Sequence, residues 1–373
     1  MPNEYREPSY HRWMREQGVP IIEGHGVTNL HGIELGPWER IGGRGAFVDL
    51  QGMEGLTGMY VTEIPPGGSL TPERHIYDEL IYVLSGRGST RVWSGPRDGA
   101  AGGAAFEWEA GALFAPPLNC WHQIYNLSGD EPARFMAVTL APLVMDIFHN
   151  TRFIFDSEFV FDDRFDGRSD YFEMKEPEFF EPVRTWLWET NLIPDARGPV
   201  LKEGEGRMGA GGWGMSYQMG GNILVGHIAE WPVGKYRKAH YHEGGAVILI
   251  TAGQGYTLTW PKALGVRPFE SGHGDQVIRI DWHEGSVVSP AGDWFHQHFN
   301  TGQGKVRQVA LRLGSKRYGV HFADLHVGEG MNISTRDNGT LIEYEDEDTE
   351  IGRMYRDELA RAGVEYQMAA AAR

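Results

Sequence analysis

The chain has 373 residues, with 34 lysines and arginines against 51 aspartates and glutamates, for a formal net charge of −17. A charge of that sign repels phosphate and excludes nucleic acid and anionic membrane surfaces as natural partners. Hydrophobic residues make up 41% and aromatic residues 12%, enough for a sizeable core, and a single cysteine, Cys120, rules out internal disulfides.

In chain order, residues 1–45 read as an N-terminal arm with a short helix near EYREPSYHRWMREQ and no apolar stretch of the signal-peptide kind. Residues 46–145 are a series of short β-branched and aromatic runs such as LIYVLSG and STRVW, each bounded by glycine. Residues 146–214, with DIFHNTRFIFDSEFVFDDRF and VRTWLWET, read as an inter-domain connection with some helix. Residues 215–325 resume the short strands with AVILITAG and YTLTW. The tail, 326–373, ends in a helix carrying Ile351, Met354, Tyr355 and Leu359 at helical spacing, preceded by the acidic run YEDEDTE, which reads as a solvated helix start. No run approaches the roughly 18 apolar residues of a spanning helix. A cytoplasmic, homo-oligomeric protein is expected.

The chain repeats itself. PPGGSLTPERHIYDELIYVLSGRGSTRVW (65–93) and GALFAPPLNCWHQIYN (111–126) can be laid over WPVGKYRKAHYHEGGAVILITAGQGYTLTW (231–260) and GSVVSPAGDWFHQHFN (285–300). His75 and His242 are 242 − 75 = 167 positions apart, and His122 and His296 are 296 − 122 = 174. A near-constant offset indicates a duplicated domain, and short strands without long intervening helices indicate an all-β sandwich or barrel.

Alternate residues of a strand face one side, so His240 and His242 point together, and His296 and His298 do the same on another strand. Two imidazoles from one strand and one from another make a three-nitrogen set with open positions, suited to non-haem iron and also to manganese, copper or zinc. The first repeat places Glu73, His75, Glu79 and His122 in the same frame. That set reads either as a second, carboxylate-richer metal site or as a degenerate repeat whose polar groups bond one another. Arg307 and Arg312 lie on the strand after the second motif and, with Trp294, are candidate substrate contacts; strand parity keeps both arginines from facing inward together.

The spacings resemble the cupin superfamily: Gly234, five residues, His240-x-His242, three residues, Ala246, six residues, Gly253, and then Gly285, Pro290, Gly292, His296 and Asn300. The resemblance implies two cupin (double-stranded β-helix, jelly-roll) barrels with a few peripheral helices. Many cupins complete a three-histidine, one-glutamate set where this chain has Ala246. A minority use three histidines alone, among them the gentisate, salicylate and hydroxynaphthoate ring-cleaving dioxygenases and the β-diketone-cleaving enzymes. By that resemblance His240, His242 and His296 are metal ligands and His298 is a catalytic pocket residue. The metal is expected to be Fe(II) foremost, with Mn, Ni, Zn or Cu as the others. The implied activity is a dioxygenase cleaving a C–C bond of an aromatic hydroxy acid or an enolisable dicarbonyl, with an anionic small molecule and O2 as partners. The alternatives are an O2-independent cupin isomerase, lyase or decarboxylase, and a non-enzymatic binding bicupin.

Overall fold

The computed structural model describes residues 6–99, 103–183, 185–203, 209, 211–317 and 333–368. The end of the segment expected as the second barrel (318–325) and the start of the expected tail (326–332) lie outside the described residues. Each repeat supplies seven main strands. In the first they are β1 (Gly43–Leu50), β2 (Gly58–Ile64), β3 (Glu79–Ser85), β4 (Arg87–Trp93), β5 (Ala104–Glu109), β6 (Trp121–Asn126) and β7 (Ala133–Thr139). In the second they are β8 (Trp213–Gln218), β9 (Leu224–Trp231), β10 (Ala246–Ala252), β11 (Gln254–Pro261), β12 (Ile278–His283), β13 (Trp294–Asn300) and β14 (Val306–Leu313).

Each barrel closes a larger sheet over a three-stranded one. The larger sheets contain β1-β2-β7-β3 and β8-β9-β14-β10, and the smaller are β6-β4-β5 and β13-β11-β12, so the strand order of one repeat is the strand order of the other. The runs ELIYVLS and AVILITA are buried at six successive positions because both of their faces are covered. The all-β duplicated fold expected from the sequence is the fold observed.

The segments outside the main strands are woven into the sheets. Ile21–Gly24 pairs in parallel with β1, and Thr185–Glu189 pairs in parallel with β8. Gly26–Val27, from the first repeat's side, then crosses to pair with Val287–Val288 of the second barrel. Leu192–Ile193 makes the reciprocal crossing onto Leu113–Phe114 of the first. The arm over 1–45 and the connection over 146–214 therefore contribute strands to both sheets. The two barrels also hold each other's turns. Gly245 N donates to Gly52 O and Gly292 N donates to Glu54 Oε1 at 2.6 Å each, and Ile223 N donates to Asp78 Oδ2 at 2.7 Å.

Among the described residues four α-helices lie outside the barrels: α1 (Ser9–Glu16), α2 (Ala141–Phe148), α3 (Thr151–Asp156) and α4 (Thr349–Ala362). Among the described residues no helix is long and apolar enough to cross a membrane. The terminal helix packs on its own barrel. Its Ile351, Tyr355 and Leu359 are buried against Tyr256, Phe295 and Phe299 on the outer face of the smaller sheet, and Tyr355 Oη donates to Asn300 O at 2.7 Å.

The acidic run before α4 is less solvated than its composition suggests. Asp348 is buried and caps the helix by accepting from Glu350 N, while also accepting from Phe269 N and Glu270 N. Glu347 is buried between Tyr236 Oη (2.7 Å) and Gln297 Nε2 (2.6 Å). Burial pushes the Glu347 carboxyl from 4.5 up to about 7, against the lowering effect of those two hydrogen bonds. An acid whose folded pKa exceeds its unfolded value binds extra protons in the native state, so stability falls as pH rises between the two values. Urea unfolding should show a loss of roughly 3 kcal/mol between about pH 4.5 and pH 7 from this group. Glu347→Gln should flatten that slope; an unchanged slope in the variant would place its origin elsewhere.

Candidate metal centres

The second-barrel centre is built where an irregular segment meets β13. His240 N donates to His296 O at 3.1 Å and His296 N to His240 O at 2.8 Å, which places the two side chains as a cross-strand pair. His242 follows two residues later on the same side, and candidate ligand atoms of His240, His242 and His296 all lie within 4.8 Å of one another.

The rings are held in a common tautomer. Nδ1 of His240 faces Lys238 O at 3.3 Å, Nδ1 of His242 faces Glu243 O at 2.6 Å, and Nδ1 of His296 faces Trp294 O at 3.2 Å. A carbonyl can only accept, so each Nδ1 carries the proton and each Nε2 keeps its lone pair. Burial holds all three well below the usual histidine range, His296 at about 4, so the rings are neutral. Three neutral imidazoles with oriented Nδ1–H groups and lone-pair Nε2 atoms are a donor set that fits a divalent metal.

His298, two residues along β13, is buried with Nδ1 2.8 Å from Thr257 Oγ1, which also accepts from Trp282 Nε1 at 3.0 Å. Ala246 is buried at the start of β10 and is paired across strands with Arg312 of β14. The two candidate arginines face opposite ways. Arg312 lies close enough for its charge to lower the pKa of His242 and of His296, whereas Arg307 donates to the carbonyls of Arg197 and Pro199 on the other side. Arg307 is thus a structural cross-link and not a pocket residue. Trp294 turns its ring toward His25, 6.0 Å between centroids, which gives it a packing partner in the crossed-over arm.

Three further groups surround this centre without any motif to announce them. His227 on β9 is desolvated, with its pKa down at about 3, and it feels the charges of Arg237, Arg312 and Lys316. Arg237 also acts on His298. Burial, helped by Arg312, brings Lys316 down to about 8. The side chains of Arg312, Arg237 and Lys316 have neither a hydrogen bond nor an ion pair among the described residues. The only signal for His227 in the sequence is the repeat offset, 227 − 167 = 60, which makes it the counterpart of Tyr60.

In the first barrel His75, Glu79 and His122 also offer ligand atoms within 4.8 Å of one another. Nδ1 of His75 faces Tyr77 O at 2.9 Å and Nδ1 of His122 faces Cys120 O at 3.3 Å, the same tautomer again. Nε2 of His75 then lies 3.3 Å from Glu79 Oε2, and Nε2 of His122 lies 3.7 Å from the same atom. Two imidazole lone pairs aimed at a carboxylate repel unless a cation, either a proton or a metal, sits among them. A proton there makes the set a hydrogen-bonded one, and a metal there makes it a ligand set. Tyr60 Oη donates to Glu79 Oε1 at 2.6 Å. Glu73, in the first-histidine position, has Oε1 3.9 Å from His122 Nε2 and Oε2 2.7 Å from Arg40. A narrow cleft is lined by Tyr10, Trp13, Arg40, Tyr60, Glu73 and Tyr77. Cys120 is buried with Sγ 3.5 Å from Ser94 Oγ, and burial raises its thiol, which makes it an inert packing residue.

Residues 60–139 match the cupin domain family. No curated protein sequence matches the chain. Solved structures with a similar course include a mutant of the Bacillus subtilis oxalate decarboxylase OxdC, at 14% identity and a TM-score of 0.48 over 80% of this chain and 79% of that one. The formate complex of the Lactobacillus farciminis oxalate decarboxylase is 13% identical, with a TM-score of 0.45 over 78% of this chain and 86% of that one. Likeness at this level says nothing about the reaction of this chain. The first barrel carries the cupin domain match, the second repeats its strand order and its motif frame at a fixed offset, and the chain has a duplicated cupin fold.

Proposed function

We propose that the chain is a metal-dependent enzyme whose reaction takes place in the second barrel, on a small chelating carboxylate, by redox-neutral cleavage or rearrangement of a bond next to the carboxylate. The observation that carries this reading is the convergence of three neutral imidazole Nε2 atoms near basic side chains that have no anionic partner among the described residues. A divalent metal held by His240, His242 and His296 would supply Lewis acidity and open positions for two substrate oxygens. Arg312, Arg237 and Lys316 lower the cost of negative charge that develops on the substrate as CO2 or a proton leaves. His298 is placed to give or take that proton, with Thr257 fixing its ring. A second ion, held by His75, Glu79 and His122 with Glu73 close by, fits the first barrel.

A second reading, O2-dependent C–C cleavage with Fe(II), is favoured by Ala246, since a carboxylate-free set leaves room for a chelating anion and a further small ligand side by side. The two are separated by loading the metal-free chain anaerobically with Fe(II), Mn(II), Ni(II) or Zn(II) and assaying hydroxy- and oxo-carboxylates with and without O2. Turnover without O2, supported by a redox-inert ion, is the expected result. Turnover that stops without O2 and consumes one equivalent per product would sink the first reading in favour of the second.

A further inference from the structure

The two barrels differ in charge at one cross-strand pair. In the first, Glu79 at the start of β3 is paired with Thr139 at the end of β7. In the second, the same two places hold Ala246 and Arg312, paired at the start of β10 and the end of β14. The neighbour on the adjacent strand changes as well: Tyr60, which donates to Glu79, is replaced by His227, and each of these is itself paired with an alanine, Ala137 or Ala310. Cross-strand partners share a face of the sheet, so Arg312 projects on the side where Ala246 leaves space. A glutamate at position 246 would be its natural counter-ion. Without one, a guanidinium and a small side chain stand beside three lone-pair imidazoles, and Arg237 adds a second guanidinium whose buried Nε has no hydrogen-bond partner among the described residues. A partly desolvated cation without a counter-ion is costly unless an anion joins it.

We propose that the substrate supplies the carboxylate that the second barrel lacks: one carboxylate of a chelating 2-oxo or 2-hydroxy acid lies over Ala246, between the three imidazoles and Arg312. This rests on the reading of the three imidazoles as a metal centre. The substrate class is an acid whose carboxylate and adjacent oxygen can both face the metal, and Arg312 is a specificity-determining residue that rejects the uncharged amide. Arg237 and Lys316 define the remaining basic wall, where a second negative group would be tolerated.

The test uses the full chain loaded with zinc, which is redox-inert, and oxalate as the smallest chelating dicarboxylate, with oxamide as its neutral counterpart. Zinc content is measured first, then oxalate affinity by titration calorimetry, for the unaltered chain, Arg312→Gln, Arg312→Lys and Ala246→Glu. The unaltered chain should bind oxalate and not oxamide. Arg312→Gln should weaken oxalate about 10- to 100-fold at unchanged zinc content, the loss of one charge-assisted bidentate contact, and Arg312→Lys should recover part of it. Ala246→Glu should lose oxalate to the same extent or more while keeping its melting temperature, because the new carboxylate takes up Arg312. Equal oxalate affinity in the unaltered chain and in Arg312→Gln, or in Ala246→Glu, overturns the inference and leaves the metal reading standing. Zinc content unaffected by His296→Ala overturns the metal reading and the inference with it.

Discussion

His296→Ala is expected to strip the second barrel of its metal while the fold survives. The ring is almost wholly buried, its Nδ1 is anchored on Trp294 O, and its Nε2 is one of three donors in the second barrel's set among the described residues. Structural zinc sites with four ligands are worth about 10–16 kcal/mol, so one ligand accounts for about 3–4 kcal/mol, or roughly 10²–10³ in affinity. His240→Ala should behave alike. With zinc counted per chain, His296→Ala should remove one ion and His122→Ala another, independently, because the two sets share no residue. A His296→Ala chain that holds its second-barrel zinc as tightly as the unaltered chain would mean that these imidazoles are hydrogen-bonded core residues and not ligands. Removing Glu79 should loosen only the first-barrel ion, since Tyr60 Oη and the two imidazoles face it there.

The positions of the ligands were readable because the chemistry constrains the backbone around them. His240, His122 and His296 each lean Nδ1 on the carbonyl two residues back, and that local geometry is what the spacing of the motif records. The asparagines that close the motifs are readable for a similar reason. Asn126 Nδ2 donates to Ile64 O, Pro65 O and Glu131 O, and Asn300 Nδ2 donates to Pro232 O and Gly304 O, so each ties off the strand that carries the ligands.

The charged wall of the second site was not readable in the same way. Arg307 and Arg312 lie on one strand at opposite parity, and only the pairing of β14 with β10, which slips by a residue between Ile250 and Ala252, decides which faces Ala246. His227 belongs to no motif because it comes from β9, and Arg237 because it fills an unspecified position of the frame between Gly234 and His240. The exchange of Gly26–Val27 and Leu192–Ile193 between barrels was equally hidden, since a two-residue strand has no periodicity to detect. Burial of Glu347 and Asp348 overrode the polarity of YEDEDTE because their partners, Tyr236, Gln297 and the 269–270 amides, come from elsewhere in the chain.

Gly255→Ala is expected to be strongly destabilising, and to damage the metal site with it. The G-x-G turn of each repeat uses its two glycines differently. Gly86 and Gly253 need left-handed backbone, with φ of 88° and 89°. Gly88 and Gly255 are strand residues whose missing side chain is occupied by something else. A Cβ at 255 would fall on the carbonyl oxygen of Phe299 and 2.6 Å from the Trp282 ring, and a Cβ at 88 would fall on the carbonyl oxygen of Tyr125 and into the Trp108 ring. Trp282 cannot retreat without giving up its hydrogen bond to Thr257, the same hydroxyl that positions His298. Phe299 cannot move without moving β13, which carries His296 and His298. Overpacking of this kind costs about 3–5 kcal/mol when the clash is with backbone. Gly265→Ala is the control: φ and ψ there are 78° and −170°, a glycine-favoured region, but a Cβ would meet nothing within 4 Å, so the cost is backbone strain alone, about 1–3 kcal/mol. Urea unfolding of the two variants, with zinc counted on each, separates the effects. Gly255→Ala should unfold at much lower urea and hold less second-barrel zinc, while Gly265→Ala keeps its zinc. Equal stability of the two variants would show that β13 and Trp282 yield freely, and that the ligand strand is not held by the turn behind it.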